Sequence, residues 1–178
     1  RLKRGKPVRD VVIVDAVRSA VGKRNGTLGL VHPTDVLGPV LMSLLKRNGL
    51  EPDSVEQVIG GCINKLGAQG MNVVRTAWLA HGGAATTPCI TVDSQCGSSQ
   101  EAATLATSIV GSGMADVVVA CGVENMTRLP VGSDSMGLDA SLGKPVARSY
   151  FGQHEFTSQF EGAERVAEKY GVSRADTD

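Results

Sequence analysis

An alternation constrains the fold of this chain more than any single motif. Short apolar runs rich in Val and Ile take turns with longer windows of helical composition. "DVVIVDAV" (10–17), "SVEQVIGGCI" (54–63), "PCITVDS" (88–94) and "ADVVVACGVE" (115–124) each read as a buried strand. Between them, "TDVLGPVLMSLLKRNG" (34–49), "NVVRTAWLAHGG" (72–83) and "SSQEAATLATSIVGSG" (98–113) read as helices. The first takes Thr34 or Asp35 as its cap and Gly49 as its stop, and Pro39 predicts a later start or a kink. Four strands alternating with three helices favour βαβ units and a mainly parallel sheet.

Composition supports a layered α/β protein. Aromatic residues make up 3% of the chain, whereas Gly contributes 22 of 178 residues. A core of small aliphatic side chains lets elements approach closely. The third helix carries the idea furthest. Ala102, Ala103, Leu105, Ala106, Ile109 and Val110 cover much of its circumference. A helix apolar nearly all round is expected to be buried on both sides, enclosing Thr104 as well. More layers are then needed than 178 residues supply, so the expected fold is incomplete in this chain.

Charge is uninformative about partners. Lys and Arg total 18, as do Asp and Glu, which gives no hint of nucleic acid or of a membrane surface. The basic start, residues 1–9, reads as a solvated tail. No signal core follows it and no run approaches transmembrane length, so a soluble, cytoplasmic protein is expected.

After Gly122 the character changes. "TRLPVGSDSMGLDASLGKP" is rich in Gly, Ser, Asp and Pro. The whole stretch 127–159 is too long for a simple connection and reads as a lid or binding loop, with Arg128, Lys144 and Arg148 available to phosphates. "EGAERVAEKYG" (161–171) returns to a helix, and Ser173 is placed to cap another.

The four cysteines are Cys62, Cys89, Cys96 and Cys121. None forms a C-x-x-C pair, and His32, His81 and His154 share no metal-ligand spacing with them, so no metal site is expected. Cys62, Cys89 and Cys121 lie in apolar runs and read as small buried hydrophobes. Cys96 differs. It follows a strand and opens a helix, where unpaired N–H groups and the positive dipole end favour a thiolate and an oxyanion. Taken on spacing alone, a reactive and a merely structural Cys96 remain equally open. His32 reads as a surface or capping residue, and His81, at a helix end, needs no functional role.

Five segments, in order, resemble the thiolases, enzymes that form or cleave 3-ketoacyl-CoA. "VIVDAVRSAVGKRNGTLG" resembles the family's opening strand and turn, with Arg18-Ser19-Ala20 in the turn. "NVVRTAWLAHGG" resembles the second helix, and "DSQCGSSQEA" the nucleophile motif. "VVVACGVENMTRLP" resembles the strand that ends in Gly-Gly-x-Glu-Ser-Met-Ser. "EGAERVAEKYGVSRADTD" resembles the Ala-Glu-x-x-Ala helix and the turn after it. The resemblance implies a thiolase-like layered fold with a central helix. It divides the chain into a tail (1–9), an N-terminal thiolase domain (10–126) and the start of a lid or CoA-binding loop domain (127–178).

The resemblance also implies chemistry. Cys96 becomes the nucleophile that carries an acyl thioester, in an acyl-CoA C-acyltransferase of the acetyl-CoA acetyltransferase or 3-ketoacyl-CoA thiolase kind, at work in lipid metabolism such as fatty acid β-oxidation. Coenzyme A and acetyl-CoA enter as substrates, with no permanently bound cofactor. The activating His and a second Cys belong to a C-terminal half, so the chain's expected partners are that half and further copies, in a homodimer or homotetramer. A bacterial source implies the cytoplasm, a eukaryotic one an organelle matrix.

Some positions depart from the family's pattern. Ser99 stands where many members have Gly, Cys121-Gly122 replaces Gly-Gly, and Asn125 follows Glu124 in place of Ser. Ser158, Gln159 and Phe160 replace a His-Met-Gly run that borders the acyl and CoA pocket, and are candidate substrate-binding residues. Ordinary packing is the plainer reading for Phe156 and Phe160. Two other functions share the features: a ketosynthase working on a carrier protein, and a thiolase-like lipid-binding or assembly subunit without chemistry.

Overall fold

In the computed structural model, which describes residues 10–136 and 140–178, three of the four expected strands form one sheet. They are β1 (Gln57–Gly61), β2 (Cys89–Val92) and β3 (Val118–Gly122), all parallel, in the order β2-β1-β3. Central β1 places Ile59 opposite Ile90 on one side and Ala120 on the other. Parallel strands need helical crossovers, and the helices are α1 (Pro33–Arg47), α2 (Val73–Ala80) and α3 (Ser98–Ser112).

The pleat sends consecutive residues of β1 to opposite faces. Val58 joins Leu37, Leu41, Val74, Ala77 and Trp78 in the core on the side of α1 and α2. A Cβ on Gly60 would meet Val74 on that same side, 2.5 Å away, whereas one on Gly61 would meet the first turn of α3. Helices therefore cover both faces of the sheet. Trp78 is fully buried, and its indole N–H donates to the Ala84 carbonyl, so the largest core side chain leaves no polar atom unpaired.

Helix α1 starts earlier than expected. His32 is its N-cap: Nδ1 accepts from the Thr34 amide, and Pro33 occupies the first turn, where a missing N–H costs nothing. The helix runs on through Pro39. Beyond α2, His81 reaches Asp35 at 3.1 Å and lies where a side chain on Gly38 would be, so it joins α1 to α2.

One expectation fails. Residues 10–17 form no strand: Val12, Ile13 and Val14 are 75–90% exposed. Their apolar alternation is real, but a strand needs a hydrogen-bonding neighbour, and no described strand lies alongside. Asp15 ties the segment down, pairing with Arg47 at 3.0 Å and accepting from Asn48 at 3.1 Å. A cavity of about 230 Å³ separates residues 17–19 from the outer edge of β3. The incompleteness expected of the fold shows at α3. One side packs on β1 and β3, but only Ser98 and Ala102 are buried, and Thr104, Thr107 and Ser108 face solvent. Among the described residues of the first unit nothing covers its outer face, and Thr104 is exposed there.

The chain divides into two compact units, residues 1–138 and 139–178. Residues 127–136, with the short α4 (Ser133–Met136), go with the first: Thr127 Oγ1 accepts from the Asn25 amide and Arg128 donates to the Leu30 carbonyl at 2.8 Å. The second unit holds a helical turn (Arg148–Gly152), α5 (Gln159–Tyr170) and α6 (Arg174–Thr177). Arg165 grips Glu155 through two hydrogen bonds and Glu161 through a third. Gly171 ends α5 in a left-handed turn, and Ser173 caps α6 in a reciprocal box with Asp176. The expected tail, residues 1–9, and positions 137–139 of the expected lid lie outside the described residues.

Candidate active site

Parallel strands bring three loops to one rim, the C-terminal edge of the sheet. They are residues 62–70 after β1, 93–97 after β2 and 123–131 after β3. Cys96 belongs to the second. It is solvent-exposed and directly precedes Gly97, the N-cap of α3. The turn is tight: the amides of Gly97 and Ser98 donate to the carbonyls of Ser94 and Gln95, both at 3.0 Å. Those two donors are thus engaged within the turn.

Two glycines let α3 start where it does. A Cβ on Gly61 would lie 2.4 Å from the Ser99 amide, and one on Gly122 would overlap the Ser99 hydroxyl. The first turn of α3 thus rests on bare backbone at the ends of β1 and β3. Gln95, immediately before Cys96, has φ of 51°, a left-handed conformation that costs a non-glycine residue about 1–3 kcal/mol. The loop compensates with side chains. Asp93 accepts from the Gln95 amide at 2.9 Å and from Lys65 at 2.7 Å, while Ser98 Oγ accepts from the Ser94 amide and donates to the Gln95 carbonyl.

Of the other cysteines, Cys62 and Cys89 are buried and Cys121 is half-buried. Burial, and then the nearby Glu124 charge, push the Cys62 thiol up to about 12. Burial does the same for Cys121, also to about 12, and raises Cys89. These three remain protonated at neutral pH.

Glu124 is the residue sequence reasoning passed over. Its carboxylate accepts from the Ile63 amide at 2.8 Å, from Gln69 Nε2 at 2.7 Å and from Asn64 Nδ2 at 3.3 Å. Gln69, itself fully buried, accepts in turn from the Asn125 amide at 2.7 Å. Asn125 Nδ2 then reaches the carbonyls of Leu28, Gly29 and Val31. One carboxylate and two amides thereby lock the first and third rim loops together. Only the unusual "VEN" after a strand hinted at this in the sequence. A cavity of about 790 Å³ opens beside the rim, with Arg18, Lys23 and Arg24 on one wall and Glu124 and Asn125 on another.

Ser158, Gln159 and Phe160 belong to the second unit, at the start of α5, and all three are exposed. Ser158 caps that helix, accepting from the Glu161 amide at 3.1 Å. Phe156 and Phe160 are 60% and 75% exposed, so ordinary packing within their unit does not account for them. Tyr150 meets both Phe151 and Phe156 edge-on. Among the described residues, no group of three or more His, Cys, Asp or Glu is arranged to hold a metal ion, and no helix is long and apolar enough to cross a membrane.

Comparison with known proteins gives this geometry its relatives. A steroid 3-ketoacyl-CoA thiolase of Mycobacterium tuberculosis, FadA6, is 40% identical over an alignment that covers 97% of this chain and 44% of that protein. A β-ketoadipyl-CoA thiolase of Pseudomonas putida is 34% identical over 96% of this chain and 46% of its own length. The crystal structure of Bacillus anthracis acetyl-CoA acetyltransferase superposes with a TM-score of 0.73 at 32% identity, covering 94% of this chain and 44% of that one. The chain thus spans less than half the length of each. The family profile described as Thiolase, N-terminal domain, matches residues 11–178, and the chain accordingly belongs to the thiolase family, through its N-terminal domain.

Proposed function

We propose that this chain carries the nucleophile of an acyl-CoA C-acyltransferase that forms or cleaves 3-ketoacyl-CoA. The observation that supports the reading best is the placement of Cys96. It is the one exposed cysteine among the four, on the sheet rim, at the mouth of a helix seated on two glycines. In the proposed reaction the Cys96 sulfur attacks the carbonyl carbon of an acyl-CoA. A carbon–sulfur bond forms and the carbonyl electrons move to oxygen. Collapse of that intermediate expels CoA as a thiolate or, when the attacked carbon is the ketone of a 3-ketoacyl-CoA, breaks the carbon–carbon bond and expels the enolate of acetyl-CoA; either leaving group takes up a proton, and an acyl-enzyme remains. A second thiolate, or the enolate carbon of acetyl-CoA, then attacks the acyl carbon and releases Cys96. Covalent catalysis of this kind replaces one difficult step with two easier ones and produces ping-pong kinetics.

A C-terminal half supplies the base that activates Cys96 and the acid–base group for the second substrate. Ser158, Gln159 and Phe160, at the start of α5, are proposed as substrate-binding residues. The complete enzyme is proposed to act as a homodimer or a larger assembly, on soluble acyl-CoA.

Incubation of the complete enzyme with acetyl-CoA, followed by peptide mass mapping, tests the reading. An acetyl group on the Cys96 peptide is the expected result, and Cys96→Ala abolishes both adduct and turnover. An adduct on another cysteine, or turnover retained by Cys96→Ala, overturns it. Cys96→Ser is expected to be very slow as well, because a hydroxyl at that position stays protonated.

A further inference from the structure

We propose that Lys65 and Asp93 form a positioning pair for the Cys96 thiol, clamping the β2 loop against the β1 loop. The inference rests on the reading of Cys96 as the nucleophile, and concerns what holds that sulfur in place.

The geometry is a relay of three contacts. Asp93 Oδ2 accepts from Lys65 Nζ at 2.7 Å, while its other oxygen, Oδ1, accepts from the Gln95 amide at 2.9 Å. One carboxylate therefore joins a side chain on the first loop to the backbone of the residue that precedes Cys96. Lys65 Nζ also lies 3.5 Å from the Cys62 carbonyl, so the lysine is tied to its own loop at a second point. That loop is anchored, because Glu124 holds the amide of Ile63 two residues upstream.

What the relay restrains is the part of the loop least able to hold itself. Gln95 stays left-handed at φ of 51°, and a relaxed Gln95 would swing the next residue, Cys96, to a new direction. The side-chain bond from Asp93 is local to that turn. Asp93 is in addition held below the ordinary carboxylate range, mainly by Lys65 and then by the Gln95 amide, so it is ionised whenever the enzyme works.

Global stability is a poor reason for the pair. Both side chains are about a third exposed, at 34% and 33%, and ion pairs of that exposure add little to folding. A role in placing the sulfur predicts a different signature: a loss of rate without a loss of fold or of substrate binding. Misplacement of a reacting atom lowers the chemical step far more than it lowers affinity.

The test uses the complete enzyme and five variants: Lys65→Met, Lys65→Arg, Asp93→Asn, Asp93→Ala and the double Lys65→Met/Asp93→Asn. Lys65→Met and Asp93→Asn are each expected to lower kcat roughly tenfold, with KM for acetyl-CoA moved by less than about twofold. The double variant falls no further than either single one, because both break the same contact. Lys65→Arg recovers most of the rate, and Asp93→Ala, which also frees the Gln95 amide, loses more than Asp93→Asn. The rate of iodoacetamide reaction at Cys96 follows the same order, while the melting temperature stays nearly constant. Asp93→Asn keeps the volume and an acceptor for Gln95, and so carries the test should Lys65→Met not fold. A folded Lys65→Met or Asp93→Asn enzyme with kcat within about twofold of the parent overturns the inference, as do effects that multiply in the double variant. Cys96→Ala in the same assay separates the two readings. If it is inactive while the pair variants are fully active, only the positioning pair fails; if it retains turnover, the nucleophile reading fails first.

Discussion

Among the four cysteines, environment alone separates one from three. Cys62, Cys89 and Cys121 are raised by burial, whereas Cys96 meets solvent. A short pulse of iodoacetamide near neutral pH is therefore expected to label Cys96 alone in the folded protein, and all four after denaturation. Labelling of Cys62 or Cys121 at a comparable rate in the folded state would contradict their burial. Asp93 supports a pH prediction with a definite sign. Its folded pKa lies below the ordinary 3.8, so its favourable contribution is complete above that value and is lost as pH falls through the lower folded one. The Gln95 amide resonance, which reports the Asp93 bond, is expected to titrate with a midpoint below 3.8. A midpoint at or above it would mean that Lys65 and Gln95 do not hold the carboxylate in solution.

At the scale of elements, the seat of α3 is the feature most open to challenge. Gly61→Ala and Gly122→Ala each place a methyl group into the first turn of α3, where backbone rather than a flexible side chain tip stands in the way at Gly61. Each is expected to cost about 1–3 kcal/mol, with Gly61→Ala the worse, and to slow acylation of Cys96 beyond what the loss of folded protein explains. Thermal melts and labelling rates check both. By contrast Thr104→Arg, which a fully enclosed α3 would forbid, is expected to leave the melting temperature of this 178-residue chain nearly unchanged, because Thr104 faces solvent. The periodic elements were legible because they carry their burial in their own residues: β1, β2, β3 and α1 to α3 all lie within two to four residues of the windows read from apolar spacing. Cys96 was legible too, since a strand followed by Cys-Gly-Ser-Ser marks a loop entering a helix. What escaped depends on neighbours. Residues 10–17 have a strand's composition but no described partner strand. His32, read as a surface or capping residue, proves to be the cap of α1 in place of Thr34 or Asp35. The Glu124, Gln69 and Asn125 network joins residues far apart in sequence, with only "VEN" to hint at it.

At the scale of the molecule, the first unit leaves apolar surface and sheet edge without cover. Val12, Ile13 and Met114 are at least three-quarters exposed, and among the described residues no strand pairs with the outer edge of β3. Exposed apolar residues beside an unpaired strand favour association. The 178-residue chain on its own is expected to self-associate at micromolar concentration, and sedimentation as a single compact monomer would contradict that. The rim carries one more consequence, and it concerns time. Its loops meet through contacts of long sequence separation: Glu124 and Ile63 are 61 positions apart, and Asn125 and Leu28 are 97 apart. Such contacts form only after β1 has found both of its neighbours, and non-local parallel pairing is slow. The thiol should therefore be among the last groups to reach its place. During refolding, the Ile63 amide gains protection later than the interior of α2, and for that interval the chain holds its sheet but not yet its chemistry.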